Sequence, residues 1–235
     1  MDAHALYEAG RLDDAIASLS AGLHTHPGDA GQRTFLFELL CFAGQYDRAD
    51  RQLDVLVTGG REAELGGLLY RSALHAERQR SRKFEGDAPA HTAPATAVAG
   101  SLNGRRFTSI ADADPRIGAR LELYVAGQYT WLPFQHVASL TCAPPRRLRD
   151  LLWIPAQLTA SAGLTGAGPS EVLLPAITPL AWGEPDDRLR LGRATEWRRL
   201  QTGTEVPIGQ KLLLVDGDEV PILEVRELVI TPFPA

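Results

Sequence analysis

A short segment near the start of the chain recurs 34 residues later, and this repeat limits the possible folds more than any other feature. Residues 9–15 (AGRLDDA) match residues 43–49 (AGQYDRA) position by position. A period of this length is typical of tetratricopeptide helix pairs. The repeated glycines, Gly10 and Gly44, suit the end of a first helix, where a residue with positive φ is favoured. We therefore predict four helices, near residues 2–9, 12–24, 30–43 and 46–57.

A fifth helix, predicted near residues 62–82, closes this array. Glu77 and Arg78 stand where the repeat has its Ala-Gly pair, so this helix resembles a cap or half repeat. Two repeats are few for independent stability, because each repeat buries its apolar face only against its neighbours. The helices are therefore expected to pack against the rest of the chain. Two roles stay open: a groove for a partner helix or peptide, or a packing layer against a second domain.

The charge and composition argue against several classes of function. The chain has 24 basic and 29 acidic residues, whereas binding to nucleic-acid backbones needs a dense basic surface. No apolar run approaches the length of about 18 residues that spans a membrane, and the N-terminus lacks the pattern of a signal peptide. Two cysteines, Cys41 and Cys142, are too few for a disulfide framework or a structural zinc site. We expect a cytoplasmic protein without cofactor or metal, whose partners are neither nucleic acid nor membrane.

The character of the sequence changes after residue 82. Residues 83–100 are rich in Ala and Pro, show no periodicity and indicate a linker. Beyond them, short alternating runs separated by turn signals indicate an open barrel or a strongly bent antiparallel sheet. Strands are predicted at residues 106–110, 121–125, 129–134, 172–175, 212–215 and 220–225, with one or two helical turns at residues 147–153. The predicted fold class is α+β: a tetratricopeptide-like helical array (1–82), a linker (83–100) and a β-rich, barrel-like C-terminal domain with short helices (101–235).

Three aspartates are the candidates for chemistry in the β-rich half. Asp112 and Asp114 are separated by one residue and could bind a cation through oxygen ligands. The glycine and the downstream glutamate of a calcium loop are missing from this stretch, so a turn held by Arg116 is the preferred interpretation. The glycines of residues 163–168 lack the Lys-Ser/Thr pair of a phosphate-binding loop. An enzyme or nucleotide-binding domain that uses Asp112, Asp114 or Asp150 stays as the alternative function.

Arginine and tryptophan cluster in two places along the chain. One group of arginines precedes Asp150, and a second group surrounds Trp197. Exposed Arg and Trp are frequent hot spots of protein interfaces, while the acidic residues in the same stretches allow internal ion pairs that hold loops together. Both interpretations stay open. No catalytic residue is predicted, and the predicted partner-binding residues are Arg149, Asp150, Trp153, Arg193 and Trp197.

Five motifs follow one another behind the helical repeats. They are IADADPRIG at residues 110–118, YTWLPF at 129–134, LRDLLW at 148–153, LGRATEW at 191–197 and LEVR at 223–226. Each motif is weak alone, but in this order the set resembles the ImpE/TagJ family (also called SciE) of accessory proteins of bacterial type VI secretion systems. The resemblance covers nearly the whole chain.

The resemblance implies a non-enzymatic function. Members of that family are encoded with the contractile sheath and are thought to work in the cytoplasm. They bind the small sheath subunit through an N-terminal helix of that subunit, and they are linked to the AAA+ ATPase ClpV, which disassembles contracted sheaths. For this chain the resemblance therefore implies an adaptor for an amphipathic helix, in agreement with the groove hypothesis. The family pattern does not indicate which face binds the helix.

Overall fold

The computed structural model describes residues 2–57, 61–85, 98–161 and 170–231, with the backbone alone for residues 61–63. Most of the predicted linker (83–100) and all of the glycine-rich stretch 163–168 therefore lie outside the described residues.

Helices occupy the first third of the chain, as the 34-residue period predicts. They are α1 (Ala3–Glu8), α2 (Leu12–Thr25), α3 (Ala30–Phe42), α4 (Tyr46–Leu56) and α5 (Arg61–Phe84). All five predicted helices are confirmed, with each boundary within two residues of the expected one. Gly10 (φ 73°) and Gly44 (φ 66°) follow α1 and α3 in the left-handed conformation that ends a helix.

Helix α3 is the centre of the helical array. Its residues from Phe35 to Phe42 are buried, apart from the half-buried Glu38. A helix that is buried on nearly every side lies inside a protein and not at its surface. Helix α2 differs, because it buries a single stripe at helical spacing, formed by Leu12, Ala15, Ile16, Leu19 and Leu23. Neighbouring elements must therefore cover α3 on both sides.

One apolar core joins these helices to the second half of the chain. It contains buried residues of the helical array together with Tyr124, Leu152, Trp153 and Leu191. The ring centroid of Phe37 in α3 lies 6.5 Å from that of Trp153. The helices thus form a packing layer on the β-rich half, which is one of the two roles that the repeat left open. The side of α3 that faces the β-rich half is covered by the chain's own residues.

The β-rich half is built from antiparallel strands. They are β1 (Gly100–Leu102), β2 (Arg105–Phe107), β3 (Ile110–Asp112), β4 (Arg120–Val125), β5 (Gln128–Pro133), β6 (Val137–Cys142), β7 (Trp153–Ala160), β8 (Ser170–Pro175), β9 (Thr195–Arg199), β10 (Glu205–Gly209), β11 (Leu212–Val215), β12 (Asp218–Pro221) and β13 (Glu227–Ile230). The largest sheet has the order β2-β1-β13-β6-β7-β8-β4-β5, an open arrangement with β2 and β5 at its ends. A three-stranded sheet (β12-β11-β3), a two-stranded sheet (β10-β9) and the short helix α6 (Asp187–Arg190) complete the described part of this half. The α+β fold class is confirmed.

Residues 106–110 do not form one strand, contrary to the prediction. Strands β2 and β3 belong to different sheets, and the chain turns between them at Thr108 and Ser109. The backbone N–H groups of these two residues donate to one carboxylate oxygen of Asp216, at 2.9 and 2.8 Å. This side-chain cap takes the hydrogen bonds that a continuous strand would have directed to its neighbour.

The predicted strands 121–125 and 129–134 pair as the hairpin β4–β5, and the predicted strands 212–215 and 220–225 pair as the hairpin β11–β12. The second arm of the latter is shorter than predicted, because β12 ends at Pro221 and a 3₁₀ turn follows at Ile222–Glu224. Proline has no N–H group to offer to a strand ladder, so strands often end there. The predicted helical turns at residues 147–153 are the 3₁₀ turn Leu148–Leu151, after which Trp153 begins β7.

Candidate partner-binding groove

A groove of about 700 Å³ lies between α5 and the large sheet. Helix α5 contributes the wall between Leu69 and Ala73, and β4, β7, β8 and the turn after β4 contribute the opposite wall. Arg146, Arg147, Arg149 and Asp150, at the 3₁₀ turn Leu148–Leu151, line one side. Helix α5 and strands of the sheet that are distant in sequence therefore form one concave surface.

Apolar side chains dominate the floor of this groove. They include Leu69, Tyr70 and Ala73 of α5 and Tyr124, Trp153, Pro155, Val172 and Leu173 of the sheet. Beside the groove, Leu65 and Leu68 of α5 are 62% and 61% exposed, and Leu69 is 56% exposed. These three leucines have the i, i+3, i+4 spacing that places side chains on one face of a helix. A contiguous apolar patch of this kind usually marks an interaction site.

Three arginines, Arg146, Arg147 and Arg149, line the side of the groove next to the 3₁₀ turn, and we call them the rim arginines. Asp150 holds this turn, because one of its carboxylate oxygens accepts the backbone N–H groups of Arg146 and Arg147 at 2.9 and 3.0 Å. The guanidinium of Arg149 lies 4.9 Å from the ring centroid of Tyr70, a cation–π contact between rim and floor. Asp150 therefore positions the rim arginines.

Trp153 belongs to the floor but is almost fully buried. Its indole Nε1 donates a hydrogen bond to the carboxylate of Glu77 in α5 at 3.0 Å. Because Glu77 is buried as well, this bond fixes α5 against the start of β7. Trp153 thus gives the groove its shape, and its polar group already has a partner.

Glu38 of α3 lies behind the rim. Burial, together with the nearby negative charge of Asp150, raises the pKa of Glu38 to about 7, although Arg147 acts in the opposite direction. Part of the Glu38 population is therefore protonated near neutral pH.

The other two predicted partner-binding residues, Arg193 and Trp197, lie apart from the groove. Arg193 donates to the backbone carbonyls of Glu8 and Tyr7 at 2.9 and 2.8 Å, and its guanidinium lies 4.6 Å from the ring centroid of Tyr7. It therefore caps the end of α1 from the β-rich half. Trp197 on β9 is 44% exposed, and its Nε1 donates to Glu219 at 2.9 Å. The structure brings Arg149, Asp150 and Trp153 together and places Arg193 and Trp197 elsewhere.

A buried charge network links α5 to the sheets, and sequence reasoning missed it. Arg80 of α5 donates to both carboxylate oxygens of Glu122 on β4, at 3.0 Å each. Lys211 bridges Glu122 and Asp112, and the Tyr129 hydroxyl also donates to Glu122. Burial alone would raise the pKa of Glu122, but the charges of Arg80 and Lys211 hold it well below its usual range. The network therefore stays ionised while it is buried.

One signal in the sequence could have revealed this network. Glu122 lies between Leu121 and Leu123, and the pattern suggests a strand with one face in solvent. Four consecutive residues of β4 are nevertheless buried, because α5 covers the face on which Glu122 lies. The signal is Lys211, which is one of only two lysines in the sequence, whereas arginine is abundant.

The three candidate aspartates do not share a cavity. Asp112 contacts Lys211, and Asp114 forms a buried ion pair with Arg116 at 2.6 Å, as the turn interpretation predicts. Asp150 lines the groove, whereas Asp112 and Asp114 are not among its lining residues in the described part of the chain. Within the described residues, no group of three or more His, Cys, Asp and Glu side chains could hold a metal ion. In the same part of the chain, no helix is long and apolar enough to cross a membrane.

Comparisons with known proteins agree with this architecture. The model of the ImpE protein family matches residues 104–229, and a tetratricopeptide repeat model matches residues 6–69. The chain is 35% identical over 269 aligned positions to the type VI secretion system accessory component TagJ of Pseudomonas aeruginosa, covering 100% of this chain and 93% of that protein. Its fold is similar to the crystal structure of VPA1032 from Vibrio parahaemolyticus, with a TM-score of 0.85, 22% identity and 97% of each chain covered.

Proposed function

This chain belongs to the ImpE family, and from that premise we propose that it is a non-enzymatic accessory protein of a type VI secretion system. In this proposal it works in the cytoplasm as an adaptor. It binds the N-terminal helix of the small contractile-sheath subunit and assists the handling of contracted sheaths by ClpV. The full-length similarity to a type VI accessory component supports the assignment to this secretion system. The groove supports the proposed binding of a helix.

The observation that carries the proposal is the apolar groove between α5 and the large sheet. A helix that binds in a groove lays its apolar face on apolar side chains, with anchors one turn apart. Leu65, Leu68 and Leu69 offer such a surface on α5, and Trp153 and Leu173 continue it across the floor. We therefore place the sheath helix alongside α5, against the sheet.

The contacts of the three candidate aspartates support a structural role over an enzymatic one. Asp112 and Asp114 are buried and paired with cations, and Asp150 accepts two backbone N–H groups. A general acid or base needs a group that is free to exchange a proton with a bound substrate. In the described residues these carboxylates instead hold turns and bridge strands.

A binding measurement with the full chain tests the proposal. A fluorescent peptide that covers the N-terminal helix of the small sheath subunit, taken from the same secretion system, is titrated with the protein. We expect a dissociation constant in the micromolar range or tighter. Leu69→Glu should weaken binding at least tenfold, because a charge would enter the apolar floor. Leu69 is more than half exposed, so this variant should keep its fold.

Trp197→Ala is the matched control, since Trp197 is an exposed apolar residue outside the groove. It should leave the affinity unchanged. Weaker binding by Trp197→Ala but not by Leu69→Glu would move the interface to β9. No binding of the peptide to the unaltered chain at concentrations up to about 100 μM would contradict the adaptor function itself.

A further inference from the structure

Within the described ranges, the rim arginines lack a carboxylate partner. Several other guanidinium groups of the β-rich half form ion pairs, as Arg116 does with Asp114, and others donate to backbone carbonyls, as Arg193 does. Among the residues that the structure describes, no ion pair involves Arg146, Arg147 or Arg149. Arg146 and Arg147 are exposed, and Arg149 is held over Tyr70. The groove therefore has three guanidinium groups that form no ion pair within the described part of the chain.

The carboxylates near the rim have other contacts. Asp150 accepts the two backbone N–H groups that hold the turn, and Glu171 accepts the amide of Gln157 at 3.4 Å. The lining described above thus carries three arginines against these two carboxylates. Glu38 lies behind the rim, and its raised pKa leaves it partly neutral near pH 7. A ligand that brings carboxylates to this side would meet donors that are free to receive them.

We propose that the groove selects an amphipathic helix with carboxylate side chains along the flank that faces the rim arginines. This inference rests on the proposed function and adds the chemistry by which the partner is chosen and oriented. The apolar floor takes the apolar face of the helix but would accept it in either direction. Arginine binds carboxylates with two parallel hydrogen bonds, so a row of them on one rim favours the orientation that places acids there.

Charges at the rim of an interface act mainly on association rate and specificity. Loss of two such contacts should therefore cost about tenfold in affinity at low salt. The cost should shrink as ionic strength rises, because salt screens exposed charges, with a Debye length of about 10 Å at 0.1 M.

The test uses the full chain with three peptides. Two designed amphipathic helices share one apolar face and carry either glutamate or lysine along one flank, and the third is the sheath-subunit peptide. The rim variant is Arg146→Gln/Arg147→Gln. The control is Arg105→Gln/Arg106→Gln, which removes the same charge from two exposed residues on β2, outside the groove. A charge-reversed variant, Arg146→Glu/Arg147→Glu, completes the set.

We expect the glutamate peptide to bind about tenfold more tightly than the lysine peptide at low salt. The rim variant should lose this preference, the control should keep it, and the charge-reversed variant should invert it. Equal binding of the two designed peptides, or an equal loss in the control, would overturn the inference. If the sheath peptide binds while the designed peptides show no preference, the adaptor function stands and charge selection fails. If the glutamate peptide binds selectively and the sheath peptide does not, charge selection stands and the proposed partner is wrong.

Discussion

Replacement of Glu122 by glutamine should strongly destabilise the protein, because the Glu122 carboxylate is the centre of the buried charge network. Glutamine keeps the shape of the side chain but removes its negative charge. The Glu122 carboxylate accepts two hydrogen bonds from Arg80 and one each from Lys211 and Tyr129, and its side chain has no exposed surface. The change leaves Arg80 with only the more distant carboxylate of Glu77, at 3.9 Å, and Lys211 with only Asp112.

The magnitude follows from the cost of a buried charge that loses its partner. Breaking a buried ion pair by removal of one member costs about 3–5 kcal/mol. With a urea m-value of about 2–3 kcal/mol per molar, the unfolding midpoint of Glu122→Gln should fall by roughly 1–2.5 M. Since domains are stable by only about 5–15 kcal/mol, the variant is expected to fold but with a much smaller margin.

Urea unfolding followed by tryptophan fluorescence and by circular dichroism measures this effect. Glu227→Gln is the control, because Glu227 is an exposed residue on β13. A variant with Glu122→Gln and Arg80→Met together should be less destabilised than the sum of the two single changes, since it removes both members of the pair. A midpoint for Glu122→Gln equal to that of Glu227→Gln would refute the reasoning, and so would strict additivity in the double variant.

Three further changes test other parts of the structure. The pKa of Glu38 is raised to about 7, so the folded state loses stability as the pH rises from about 4.5 to about 7 and does not regain it above. In urea unfolding, Glu38→Gln should therefore be about 1–3 kcal/mol more stable than the unaltered chain at pH 8 and equally stable near pH 4. The same difference in unfolding free energy at both pH values would contradict this. Gly44 has a left-handed backbone conformation, and Gly44→Ala would place a Cβ 2.5 Å from the Trp182 ring, so this variant should lose about 2–4 kcal/mol of unfolding free energy in the same assay. Gly104 is left-handed as well but faces open space, so Gly104→Ala, the control, should lose about 1 kcal/mol. Arg193→Ala removes the cap of α1 and should lower the stability by about 1–2 kcal/mol in thermal unfolding without weaker peptide binding; weaker binding at unchanged stability would return Arg193 to the partner surface.

The helical array could be predicted from the sequence because its signal is local. Gly10 and Gly44 mark the helix ends, and apolar residues at helical spacing mark the buried stripe of α2. The hairpins β4–β5 and β11–β12 were predictable for the same reason, since each turn lies between two adjacent runs of strand residues. These elements depend on contacts within a few residues.

The elements that depend on distant residues could not be predicted. The turn at Thr108 and Ser109 is set by Asp216, which lies more than 100 residues further along the chain. The burial of Glu122 depends on Arg80, 42 residues away, and on Lys211, 89 residues away. A single sequence carries no record of such pairings. Two groups of arginines therefore looked alike in the sequence, yet Arg193 caps a helix of the array and Arg149 lies at a groove.

The small number of repeats explains where the candidate site lies. Two helix pairs cannot bury both sides of α3 by themselves, so the β-rich half covers one side through residues such as Trp153. This coverage closes that side of α3 to a partner. The groove between α5 and the large sheet stays open. Beside it, the first half of α5 exposes Leu65, Leu68 and Leu69. Separation of the chain between α5 and β1 would divide this groove and expose the Arg80–Glu122 pair. Partner binding should therefore require both halves of the chain together, and neither half alone should bind the sheath peptide.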